Sequence, residues 1–211
     1  MDETKYEKWG LLAGIEFVVL NLVGGLIAGT PPKVTDSTAK ITEFFADHHD
    51  EIRIGSFLGG LSIIAFLWFL ASLFGRLRRA EGGAGRVSQI ALTGGVVVAA
   101  VASIGYGLMA LGGLYADTGE FALKTSTVAF AYLGFAAAAF VLGASIVVLR
   151  TKLLPDWVAW LGGISAILWI VGGVQVTSTR DVFADIGLAA YLVWALWVLV
   201  VSVLLYRKQD A

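Results

Sequence analysis

Cysteine is absent from this chain, and with it go disulfides, thiolate metal centres and thiol catalysis. Histidine occurs only as the adjacent pair His48 and His49. No histidine is therefore placed to hold a haem within a bilayer, to complete a serine–histidine protease or to form an HExxH zinc motif. Charge is scarce too: Asp, Glu, Lys and Arg make up 15% of the residues, against about a quarter in a soluble domain. The net charge of −1 carries no message about nucleic-acid or acidic partners, and no nucleic-acid partner is expected. The segment EGGAGR is not a phosphate-binding loop, because the lysine and hydroxyl of that motif are missing and no strand precedes it.

What fills the space is apolar. Hydrophobic residues account for 58% of the 211, and they gather into six runs separated by the few charges. The runs lie at about residues 11–28, 54–74, 87–115, 128–149, 157–176 and 186–206. Each is long enough as a helix to cross roughly 30 Å of hydrocarbon. The expected fold is all-α, a six-helix transmembrane bundle forming one domain over residues 1–211. The first run reads as a retained helix, since its acidic flank and its length do not fit a cleaved signal. The third run is long for a perpendicular span, so a tilt or a bend is expected there, with Gly105 and Gly107 as the place for it.

Orientation follows from the basic residues. Lys5, Lys8, Arg76, Arg78, Arg79, Arg86, Arg150, Lys152, Arg207 and Lys208 fall on one side, and Lys33, Lys40, Arg53, Lys124 and Arg180 on the other. That distribution places both termini in the cytoplasm of a cell with the chain in its plasma membrane, read here as a bacterial inner membrane. Trp9, Trp157, Trp160, Tyr115 and Tyr206 sit at run ends, where aromatic residues anchor at the headgroups.

Between the first two runs, residues 36–50 form an outer amphipathic segment. Ile41, Phe44, Phe45, His48 and Ile52 share one helical face, while Glu43, Asp47, Asp50 and Glu51 share the other. A connector lying in the lipid interface is the expectation, with a lid over the bundle as the functional alternative. The DHHDE cluster reads as a solvated face, because adjacent helical residues cannot converge on one ion. No metal, cofactor or catalytic residue is assigned. Glycine pairs recur at 24–25, 59–60, 94–95, 112–113, 162–163 and 172–173, and are expected to let helix backbones approach closely.

One carboxylate, Glu16, lies inside a span, about 10 Å below Trp9 at 1.5 Å per residue. No Lys, Arg or His occurs in any of the six runs to pair with it. Ionisable groups at such depth are costly and mark functional sites. At the same depth Thr93, Ser145, Ser165 and Ser202 are available to share hydrogen bonds with it in a polar layer. A second set, Asn21, Ser103, Tyr106, Tyr132, Gln175 and Tyr191, falls in the opposite half near Trp68, Trp169, Trp194 and Trp197. The candidate ligand-binding or proton-linked residues are therefore Glu16, Asn21, Thr93, Tyr106, Trp169, Gln175 and Trp194. The reading is a protein that binds or moves a hydrophobic or weakly polar small molecule, with Glu16 as buried polar centre. The alternative is an accessory or scaffold subunit packing against other membrane proteins or copies of itself, with membrane lipids as partners in either case. An enzyme would need a second catalytic group beside Glu16, and only hydroxyls and amides are at hand.

Three segments carry a resemblance: ITEFFADHHDEIRIGSFLGGLS, RTKLLPDWVAWLGGISAIL and ALWVLVVSVLLYRKQ. They resemble a large group of small bacterial, often actinobacterial, integral membrane proteins classified only as a six-helix domain of unknown function. The resemblance implies the same six-helix fold and carries over no activity and no site residue.

Overall fold

A computed structural model describes residues 3–178 and 180–208, and every regular element among them is helical. Helix α1 spans Glu3–Ala28, α2 Thr38–Asp47, α3 His49–Glu81, α4 Arg86–Leu114, α5 Gly119–Thr151, α6 Asp156–Gly172 and α7 Asp181–Arg207. Six of the seven are long and apolar enough to cross a membrane, and α2 is the short one between the first two. At 33 residues each, α3 and α5 exceed the runs read from sequence. At 1.5 Å per residue each is about 50 Å long, so its ends stand outside a hydrocarbon layer of roughly 30 Å. Helix α4 runs uninterrupted through Gly105, where the missing side chain seats a neighbouring ring instead of marking a break. A Cβ there would lie 2.5 Å from Phe130.

The six long helices form a closed ring in chain order, with α7 returning to lie beside α1. The start of α1 and the end of α7 fall at one end, called here the terminal side, and α2 covers part of the other. Glycine makes the close contacts possible. Cβ atoms at Gly24 and Gly55 would come within 2.9 and 2.6 Å of each other's helix backbone, joining α1 to α3. A Cβ at Gly94 would lie 2.7 Å from Phe140 N, and one at Gly172 would lie 2.9 Å from Gly187 Cα. In several pairs only one member is used this way: Gly25, Gly60 and Gly163 face open space.

The tight turn between α3 and α4 needs Gly82, Gly83 and Gly85, whose φ angles of 65°, 51° and 59° suit no other residue as well. The Glu81 carboxylate then caps α4, accepting from the backbone N–H of Val87 at 3.0 Å and of Ser88 at 2.8 Å.

Helix α2 is the short amphipathic helix expected between the first two spans. Its apolar face lies on protein: Ile41 and Phe45 are fully buried, clustered with Ile52 and Leu123. The Phe45 ring fills notches left by Gly112 and Gly119 at the ends of α4 and α5. Glu43, Asp47, Asp50 and Glu51 stay exposed, as the pattern implies. Ahead of α2, the Asp36 carboxylate accepts from Lys40 Nζ at 2.8 Å and Lys33 N at 3.0 Å. These contacts hold its carboxyl below the usual range.

Candidate functional site

The interior of the ring is filled on the terminal side and hollow on the α2 side. Phe66, Phe69, Phe140 and Trp197 occupy the filled half, each nearly or fully buried. Phe140 meets Phe66 and Trp197 edge-on, with centroids 5.9 and 5.7 Å apart. The Trp197 indole donates to the Val158 carbonyl at 3.1 Å. Phe17 and Trp194 sit above this cluster, 5.3 Å apart, and with Phe66 they floor a cavity of about 270 Å³. All six spanning helices contribute to its wall.

The centre of the cavity wall is Asn21. Its Nδ2 donates to Tyr106 OH at 2.7 Å and to Ser62 Oγ at 3.1 Å, while its Oδ1 accepts from Tyr191 OH at 2.8 Å. Ser62 in turn donates to the Gly59 carbonyl at 2.6 Å. That commitment fixes the amide orientation, since Ser62 has no second proton and must accept from Asn21. Tyr106 then accepts from Asn21 as well. Its own hydroxyl proton has no acceptor among the described residues. The Gln175 side chain, half-buried at the cavity rim, makes no hydrogen bond among them either. The indole N–H groups of Trp169 and Trp194 are buried without partners. Among the described residues, no Asp, Glu, Lys, Arg or His lines the cavity.

A smaller hollow of about 150 Å³ lies nearer α2, beneath Pro31 and Phe44. It shares Asn21, Tyr106 and Phe130 with the main cavity, so the Asn21–Tyr106 bond stands in the partition between them. The main cavity also reaches the surface beside the first turns of α7, where Leu188 is 60% exposed.

Of the residues singled out from sequence, Asn21, Tyr106, Trp169, Gln175 and Trp194 converge on this one cavity. Glu16 and Thr93 do not. The Glu16 side chain is exposed on the outer surface of the ring, so it is not a buried polar centre. Five residues separate it from Asn21, which turns the two about 140° apart on a helix of 3.6 residues per turn. Thr93 likewise faces outward from α4. The polar layer that would join Glu16 to Ser145, Ser165 and Ser202 is absent: those hydroxyls are buried, but none bonds Glu16 or any other described group. Ser103 bonds its own helix at Ala99 O, and Tyr132 and Trp68 are more than half exposed.

Sequence reasoning missed Ser62, Phe17 and Phe66. The signal was available: Gly10, Gly14, Phe17, Asn21 and Gly24 recur at helical spacing and define the inward face of α1. Trp9, Ala13, Glu16 and Leu20 define a different one.

Six helices long and apolar enough to cross a membrane define the class: by length and composition, this is a polytopic α-helical membrane protein. No family model, curated protein or solved structure matches the chain.

Proposed function

We propose that the protein binds, or passes across the membrane, a small neutral molecule that is chiefly apolar and carries a hydrogen-bond acceptor. One observation supports this most: in an uncharged, aromatic-walled cavity, the Asn21 network leaves the Tyr106 hydroxyl proton unused. Ligand pockets combine an apolar wall with a few placed polar groups, and their volumes begin at about 300 Å³, close to the cavity seen here. No charged residue stands in the described lining, which argues against an ionic ligand, because an ion would leave water without compensation. The polar centre of this reading is Asn21 with Tyr106 and Tyr191; Glu16 is no part of it.

The basic residues favour a plasma-membrane protein, in a bacterium the inner membrane, with both termini in the cytoplasm. The cavity then lies in the outer half of the bilayer, with α2 on the outer face. The accessory-subunit alternative draws less support, since most of the glycine faces it would rely on already pack inside the ring.

The test compares naphthoquinone, which offers acceptors only, with naphthalene, which offers none. Binding is read as the rise in thermal midpoint that a native-state ligand causes. Naphthoquinone should bind more tightly to the wild type, and Tyr106→Phe should remove about tenfold of that preference, the equivalent of one hydrogen bond. Asn21→Leu should weaken both. Equal binding of the two probes, or a preference that survives Tyr106→Phe, would sink the reading.

A further inference from the structure

The outward position of Glu16 raises its own question: a carboxylate on the lipid-facing surface of a helix is costlier than one inside a bundle. It stands in a groove of about 450 Å³ between α1 and α3. Ala13 and Ala65, both small and buried, make the floor. Trp9 and Trp68 rise beside it, 70% and 53% exposed, with Ile64 further along. Glu16 makes no hydrogen bond or ion pair with any described residue.

We propose that this groove binds a membrane-partitioned organic cation, one whose charge is spread over an apolar body. Charge complementarity selects the sign, and the surroundings select the class. The Glu16 carboxylate lies about 10 Å below Trp9 along the helix, too deep for a hydrated inorganic ion to reach without shedding its water. A zwitterionic lipid keeps its ammonium at headgroup level and brings a phosphate that the carboxylate repels. A second copy of the chain brings no counter-charge, because no Lys, Arg or His lies in any of the six runs. A delocalised cation meets each condition: its body fills the apolar groove, its charge faces Glu16, and the exposed indoles offer cation–π contact.

The groove and the cavity share no lining residue, so this inference and the neutral-ligand reading can fail separately. The probe is tetraphenylphosphonium, titrated calorimetrically against the full chain in nanodiscs of uncharged lipid. The wild type should bind it, and Glu16→Gln should weaken binding by about tenfold or more. Glu16→Asp, which keeps the charge, should retain most of the affinity, so the loss cannot be ascribed to misfolding. Trp68→Leu should cost about threefold. No binding by the wild type, or equal binding by Glu16→Gln, overturns the proposal. So does an Ala13→Cys variant that cross-links efficiently to a second copy whether or not the cation is present, since the groove would then be a dimer interface.

Discussion

The two halves of the ring interior are enclosed by the same helices yet end differently, one solid and one hollow. On the terminal side the inward positions hold Phe69, Leu73, Phe140, Trp197 and Leu205, all close to fully buried. On the α2 side the corresponding wall is built from Ala99, Ala102, Ala131, Gly172, Gly173 and Gly187. Six helices in a ring enclose more space than such small residues can fill, and native packing density fails there. Aromatic residues remain, but their role changes. Phe66 and Trp194 close the solid half from above and become the floor of the hollow one. Volume deficit, more than any special motif, creates the cavity.

The contrast can be broken most strongly from the solid side. Phe140 is fully buried, and Phe140→Ala should destabilise the protein by about 3–5 kcal/mol, measured by unfolding in mixed micelles. A loss below about 1 kcal/mol would mean that the terminal half is loosely packed after all. Enlarging side chains sharpens the comparison further. Ala144 is fully buried in the solid half, so Ala144→Leu should cost about 1–3 kcal/mol by overpacking. Ala102 lines the cavity and is only half-buried, so Ala102→Leu has room to enter. It should leave stability unchanged or raised while reducing naphthoquinone binding. Equal penalties for the two substitutions would mean that the hollow half has no space to give.

The sequence reveals depth along a helix well and rotation about it poorly. The six spans, their order and the short helix between the first two are legible because apolar runs and basic punctuation record where a chain crosses lipid. Asn21, Tyr106, Gln175, Trp169 and Trp194 are legible as one group because they share a depth. Glu16 and Thr93 were placed at plausible depth too, but their azimuth depends on which face of α1 and α4 meets the neighbours. That choice is made by glycines: Gly10, Gly14 and Gly24 admit Ser72, Phe69 and the backbone at Gly55. They pull one face of α1 inward and leave Glu16 outside. The docking of α2 is illegible for a related reason. Its amphipathic pattern says that one face must be covered, and only the notches at Gly112 and Gly119 say by what.

The same rule can be tested at its smallest scale on one glycine pair. Gly162 and Gly163 are adjacent in α6 and identical in composition, yet their surroundings are opposite. A Cβ at Gly162 would fall 2.3 Å from Ser145 Oγ and 2.9 Å from Trp197 Nε1. The serine hydroxyl can rotate away, but the indole is held by its bond to Val158 O and cannot. Gly162→Ala should therefore cost about 1–2 kcal/mol through strain in the solid half. At Gly163 nothing lies within 4 Å. There a methyl group meets no atom of the chain, and Gly163→Ala should instead stabilise α6 by about 0.5–1 kcal/mol, the ordinary preference of a helix for alanine. Opposite signs at neighbouring positions are the signature of glycine used as a packing notch. Two losses of similar size would point instead to an outer face of α6 that is itself covered.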